Sequence, residues 1–211
     1  MQTLDSLTAT PTQALRSPAV ARNADAILTV LRAHMPAKAR VLELASGTGE
    51  HAVAIAGALP GLEWTPSDPS AEALASIAAW AGQAGLSNLK PALAVDVLDE
   101  ATWPTGTVQA VVCINMIHIS PWAATEGLMR LAGRLLTDPG GLLMLYGPFR
   151  EAGIETASSN AAFDESLRAR DPAWGLRALE DVVAVAEAHG LAHTLRVAMP
   201  ANNLSLLFRR V

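Results

Sequence analysis

Three groups of residues in this chain of 211 amino acids could do chemistry at one place. The first is VLELASGTGEH at 41–51, an apolar run, the acid Glu43, and a turn carrying Gly47 and Gly49 that opens a helix. Glycines let a backbone turn sharply and approach a ligand with no Cβ in the way, and the following helix points free N–H groups back at it. The spacing of Gly47, Gly49 and Ala52 is common to dinucleotide-binding turns. Glu43 is the distinguishing residue, because a carboxylate just before the turn repels a pyrophosphate and suits a cationic ligand. The second group is acids at later strand ends: Asp68, 19 residues after Gly49 where a ribose-binding carboxylate is expected, and Asp96. Asp68 before Pro69 would equally serve as a helix N-cap, and Asp96 as a solvated loop carboxylate. The third is Asn115, His118 and Tyr146. An unperturbed histidine titrates near ~6.5, so His118 could be a general base or could fix its loop through backbone hydrogen bonds. Tyr146 is a weaker candidate, a hydroxyl that orients a reactant.

These residues need elements to hold them. Ser17-Pro18 predicts a helix start, with Val20, Ala24, Ile27 and Leu31 on its apolar face and Arg22 and Asn23 towards a solvated side. Strands are expected at 41–44, 62–65, 92–95, 108–114 and 142–146, with helices at 50–59, from Pro69 through 81, and from Ser120-Pro121 to about 138. This alternation predicts an α/β fold with a parallel sheet and ligands at its carboxyl edge, where Glu43, Asp68, Asp96, Asn115, His118 and Tyr146 gather. There Glu43 would suit the amino group of S-adenosylmethionine, and Asp96 could accept from an adenine amino group. Residues 147–173 form a stretch longer than an ordinary connection, expected as a substrate-facing lid or as a surface helix that merely packs. A helix at 176–189 and strands at 192–198 and 204–210, joined by a tight turn, must close the chain as an antiparallel hairpin.

Composition bounds the rest. With 51% hydrophobic and 17% charged residues, the chain reads as one globular domain, 1–211, with a loose arm at 1–16. A net charge of -5 argues against a broad basic face for nucleic acid. No apolar run approaches the ~18 residues of a membrane span and the first residues lack a signal peptide's pattern, so a soluble, cytoplasmic protein is expected. Cys113 sits in an apolar run as a buried thiol, and the five histidines show no ligand spacing, so no metal is expected.

With those residues in place, the chain resembles the class I S-adenosylmethionine-dependent methyltransferases and, within them, the domain-of-unknown-function 938 family, whose animal members are catalogued as methyltransferase-like proteins. The resemblance rests on SPAVARN at 17–23, ELASGTGEH at 43–51, PSDP at 66–69, NMIHISPW at 115–122, YGPF at 146–149, SNAAFDESLRARDPAWGLR at 159–177 and MPANNLSL at 199–206. It implies a Rossmann-like fold, a mostly parallel seven-stranded sheet with a C-terminal antiparallel hairpin and helices on both faces. It also implies S-adenosyl-L-methionine as cofactor: Glu43, Gly47 and Gly49 hold the methionine part, Asp68 the ribose, and Asp96 with Val97 the adenine, with Ser46 and Thr48 also binding the cofactor. Asn115 and Met116 line the meeting point of donor and acceptor, and Arg22 with Asn23 cover the methionine carboxylate. The remaining blocks shape the pocket of a small-molecule acceptor: Asn160, Phe163, Arg168, Trp174, Arg177, Asn202 and Asn203, the arginines suiting an acidic or planar one.

Two features depart from the general methyltransferase pattern. Ala45 stands where the loop's first glycine belongs, which is tolerable unless the position needs a positive φ. No Asp/Asn-Pro-Pro-aromatic element follows the fourth strand, which speaks against amino-group methylation of nucleobases or glutamine. Both leave room for a non-catalytic binding or scaffold protein. Glu43 and the closing hairpin disfavour a nicotinamide oxidoreductase.

Overall fold

A strand covered on both faces reads as an unbroken apolar run, whereas an amphipathic helix repeats its apolar residues every three or four positions; this chain alternates the two. The computed structural model describes residues 8–9, 14–137 and 139–211. Its elements begin with β1 (Thr8–Ala9), β2 (Leu15–Arg16), α1 (Val20–His34), β3 (Ala39–Leu44), α2 (Glu50–Ala58), β4 (Leu62–Pro66) and α3 (Ala71–Ala84). They continue with β5 (Ala110–Ile114), α4 (Trp122–Leu135), β6 (Leu142–Gly147), α5 (Ser158–Arg170), α6 (Leu179–Ala188), β7 (Leu191–Met199) and β8 (Asn203–Arg210).

Strands β4, β3, β5 and β6 lie side by side and parallel, β8 joins β6 antiparallel, and β7 closes the far edge antiparallel to β8. On one face α1 and α2 pack Ile27, Leu31, Ala52 and Ile55 against Val41, Val112 and Met144. On the other, α4 and α6 pack Leu128, Leu131, Leu135 and Val182 against Leu42, Val111, Leu143 and Phe208. Full burial contributes about 1.5–3 kcal/mol for each such large apolar side chain, so both layers bind tightly to the sheet. The parallel strands therefore end at one edge, with Glu43, Asp68, Asn115 and Gly147 at or just past their carboxyl ends.

The sheet has six strands, one fewer than expected. Residues 92–95 make only a single bridge, Leu93 to Ser67, beside β4. Lys90 N donates to Trp64 O at 2.8 Å and Leu93 N to Pro66 O at 3.0 Å, so three residues cover a step that a regular ladder makes in two. Pro66 has no N–H to return, and the strand breaks there.

Most of the expected arm, residues 1–7 and 10–13, lies outside the described residues. Its end is held: Leu15 N donates to Ser76 Oγ at 2.8 Å, Trp80 Nε1 donates to Leu15 O at 2.8 Å, and the Arg16 guanidinium stacks over Trp80 at 4.7 Å. Helix α1 starts at Val20, after a turn in which Val20 N bonds Ser17 O. Arg22 on it is exposed as expected of a solvated face, but Asn23 is buried. No helix among the described residues is long and apolar enough to cross a membrane.

Candidate functional site

The turn after β3 supplies the floor of the site. Gly47 N donates to Asp68 Oδ2 at 3.0 Å, which ties the turn to the end of β4. Gly49, at φ 86, opens α2, and a Cβ on it would stand 2.9 Å from Ile77 Cα, so it is glycine for packing against α3 as well as for its backbone. Ala45 has φ 53, so the position does need the left-handed conformation, and the alanine there is strained by about 1–2 kcal/mol.

Glu43 is 1% exposed. Its Oε2 accepts from Trp64 Nε1 at 3.0 Å, and Ser46 Oγ donates to its backbone carbonyl at 3.5 Å. Burial outweighs the Trp64 bond and pushes its pKa up to about 7. Asp68 uses Oδ1 to accept from Ser70 N at 2.9 Å, whereas the cap of α3 is Ser70 itself, accepting from Ala73 N. Asp96 is half-buried, with Oδ1 accepting from Leu98 N at 2.9 Å.

Past β5, Asn115 adopts φ 65, which asparagine tolerates, and opens a single 3-10 turn, Met116–His118. His118 is 1% exposed, packs edge-on against Phe149 at 4.9 Å, and fits against Gly147 where a Cβ would collide with its ring. Neither ring nitrogen has a partner, and burial pulls the pKa down to about 3, helped by the nearby Arg177 charge.

One cavity of about 600 Å³ joins these groups. Glu43, Ser46, Gly47, Thr48, Asp68, Asp96, Val97, Asn115, Met116 and His118 line it, together with Phe163 and Arg170 from α5. The stretch Leu15–Val20 contributes Leu15, Ser17, Ala19 and Val20, and Ser17 N is held by the Glu50 carboxylate.

Several expected site residues stand elsewhere. Tyr146 is in the core under α1 and α2, not in the cavity, because β6 turns its side chain to that face; burial raises its pKa. Asn23 is behind the wall, its Oδ1 2.8 Å from His51 Nε2, and Arg22 does not reach the lining. Gly49 is likewise outside it. Of the seven residues expected around the acceptor, Phe163 alone lines the cavity. Arg177 bonds the carbonyls of Ile117, Ser120 and Ala173, and Arg168 pairs with Asp164 at 3.0 Å. Asn160 donates to Asn202 O, Asn202 to Ser159 Oγ and Asn203 to Pro200 O, all fastening the β7–β8 turn, while Trp174 lies under Arg170 at 5.1 Å.

Sequence reasoning misses Trp64, a strand residue whose partner is visible only across the β3–β4 pair, and Arg170, one of several arginines in its segment. His51, in the first turn of α2, also lines the cavity, and burial pulls its pKa down to about 4. Among the described residues no group of histidine, cysteine and acidic side chains could hold a metal ion.

The model of a family described as a protein of unknown function, DUF938, matches residues 15–210. Among solved structures, an O-methyltransferase family protein from Burkholderia thailandensis superposes with a TM-score of 0.73 at 17% identity, over 89% of this chain and 58% of its own. An O-methyltransferase family 2 protein from Planctomyces limnophilus, in complex with apigenin, gives 0.77 at 19% identity over 90% and 56%. CalO1, a methyltransferase in calicheamicin biosynthesis solved in its SAH-bound form, gives 0.72 at 17% over 89% and 54%. This chain therefore spans a little over half the length of these structures, and what it shares with them is the fold.

Proposed function

The chain belongs to the DUF938 family, which is class I methyltransferase-like, and on that premise we propose that it is an S-adenosylmethionine-dependent methyltransferase of a small-molecule acceptor. The observation that supports this most is that one cavity is lined by Glu43, Asp68 and His118 together. Its volume, about 600 Å³, falls within the roughly 300–1,000 Å³ of small-molecule sites. The residues fit the cofactor. Glu43 is a buried carboxylate with no cation beside it among the described residues, as a ligand ammonium requires, and the position a Gly47 Cβ would take is open.

When bound, S-adenosylmethionine supplies an electrophilic methyl group on a sulfonium. Glu43 would hold the ammonium, Asp68 the ribose hydroxyls through lone pairs left over from Gly47 and Ser70, and Asp96 with Val97 the adenine edge. Asn115 and Met116 would separate the two halves of the site. His118 is neutral at physiological pH and too weak a base at about 3 to take a proton on its own, so its role is to accept a hydrogen bond and aim the acceptor. Residues 147–173 would act as a lid within a single domain, with Phe163 as its inner face. The apigenin complex of the Planctomyces limnophilus protein supports a small-molecule acceptor, and the SAH-bound form of CalO1 supports this cofactor.

The second reading is a binding protein with no activity. It is favoured because neither expected base is effective: His118 is depressed to about 3 and Tyr146 is outside the cavity. Incubating the protein with methyl-labelled S-adenosylmethionine and a small-molecule extract separates the two. Labelled product that requires His118 supports the enzyme; tight cofactor binding without any product leaves the binding protein.

A further inference from the structure

Resting on the methyltransferase reading, we infer that the acceptor carries an anionic group and that Arg170 selects it. The charged lining of the cavity is divided. Glu43, Asp68, Glu72 and Asp96 all come from the chain between β3 and α4, where the cofactor is assigned, and Arg170 is the single lysine or arginine among the described lining residues. Of Arg168, Arg170 and Arg177 it is also the one not already used. Arg168 is paired with Asp164, and Arg177 is committed to three backbone carbonyls. Arg170 has no ion pair or hydrogen bond among the described residues and makes one ring contact, over Trp174 at 5.1 Å. A guanidinium stacked by its face keeps its edge N–H groups free to grip a carboxylate through two parallel bonds.

A second observation is independent of the first. His118 also lines the cavity, and its ring nitrogens are buried and unpartnered, with Nε2 set against Gly147. Phe163 and Arg170 are seven residues apart on α5, hence on one face and about 10 Å apart along its axis. Together they describe an acceptor with a flat apolar body beside Phe163 and an anion at Arg170. This is a different assignment from Arg168 and Arg177, the arginines that the sequence alone puts forward.

The test is calorimetric, on protein saturated with S-adenosylhomocysteine. The probes are 3-(4-hydroxyphenyl)propionate, its methyl ester and tyramine, which share a phenol and differ in charge. Wild type should bind the acid roughly tenfold more tightly than the ester or the amine. Arg170→Gln should bring acid and ester level, and Arg170→Glu should favour tyramine, with S-adenosylhomocysteine affinity unchanged in both. Equal binding of acid and ester by wild type, binding of no probe, or an Arg170→Gln variant that loses S-adenosylhomocysteine as much as acid would each overturn the inference. Wild type that fails to bind S-adenosylhomocysteine would sink the methyltransferase reading instead, and the acid-to-ester ratio measured without it would still decide this one.

Discussion

The indole N–H of Trp64 on β4 donates to Oε2 of Glu43 on β3 at 3.0 Å, across a register in which Glu43 faces Pro66. Trp64 is fully buried, so the bond is out of water and holds the carboxylate at the cavity floor.

Replacing Trp64 with Phe keeps much of the ring's burial and deletes the donor. The carboxyl should then be harder to ionise, S-adenosylhomocysteine binding at neutral pH should weaken about tenfold, and the fold should lose about 1–3 kcal/mol. Titration calorimetry and urea unfolding of the variant measure the two effects.

On the proposed reading, Glu43 should make cofactor affinity depend on pH. With its pKa near 7 in the free protein, the carboxylate that meets an ammonium is increasingly protonated as pH falls below neutrality. Affinity should therefore fall by up to about tenfold per unit from pH 7 to pH 5, with proton release on binding, and Glu43→Gln should bind weakly at every pH. The same shift governs stability. The folded pKa is raised from 4.5 to about 7, so this group's stabilisation is complete below 4.5 and is lost as pH rises through 7. That loss is about 3 kcal/mol, so Glu43→Gln should be more stable than wild type at pH 8 and equal to it at pH 4.5, as thermal melts at the two pH values would show.

His118 has the opposite sign. Its folded pKa is lowered from 6.5 to about 3, so its contribution is present above pH 6.5 and is lost as pH falls. Phe at position 118 would pack on Phe149 with no nitrogen left unpaired. His118→Phe should equal or exceed wild-type stability at pH 8 and gain about 1.4 kcal/mol more per unit below 6.5. Its cofactor affinity should stay intact while methyl transfer falls by about a hundredfold or more. Unfolding curves at pH 8 and pH 5, with turnover, decide whether His118 serves the acceptor.

Ala45 is the strained residue of the loop. Ala45→Gly relieves about 1–2 kcal/mol of left-handed strain and adds about 0.5–1 kcal/mol of unfolded-state entropy, so a net gain of about 0.5–1 kcal/mol is expected in chemical denaturation.

What can be read in advance follows from local rules. Glu43, the Gly47 turn and Asp68 are fixed by strand ends and a loop length, and His118 by the turn after β5; all four line one cavity. The broken strand at 92–95 depends on Pro66, which disrupts it only because β4 is its neighbour. Arg168, Arg170 and Arg177 look alike in sequence, and which of them is left for a ligand depends on where Asp164 and the carbonyls of Ile117 and Ser120 come to lie. Tyr146 escapes sequence reasoning for a related reason: its strand end is where the pattern puts it, but the face it turns to is set by the sheet's packing under α1.

The central claim is that the Glu43–Asp68 end of the cavity binds S-adenosylmethionine. Parallel calorimetric titrations of wild type and Glu43→Gln with S-adenosylmethionine, S-adenosylhomocysteine and NADH test it most directly. Micromolar binding of both sulfur ligands by wild type, loss of both in the variant, and no response to NADH are expected. Binding of NADH alone, or of no ligand by wild type, would contradict it.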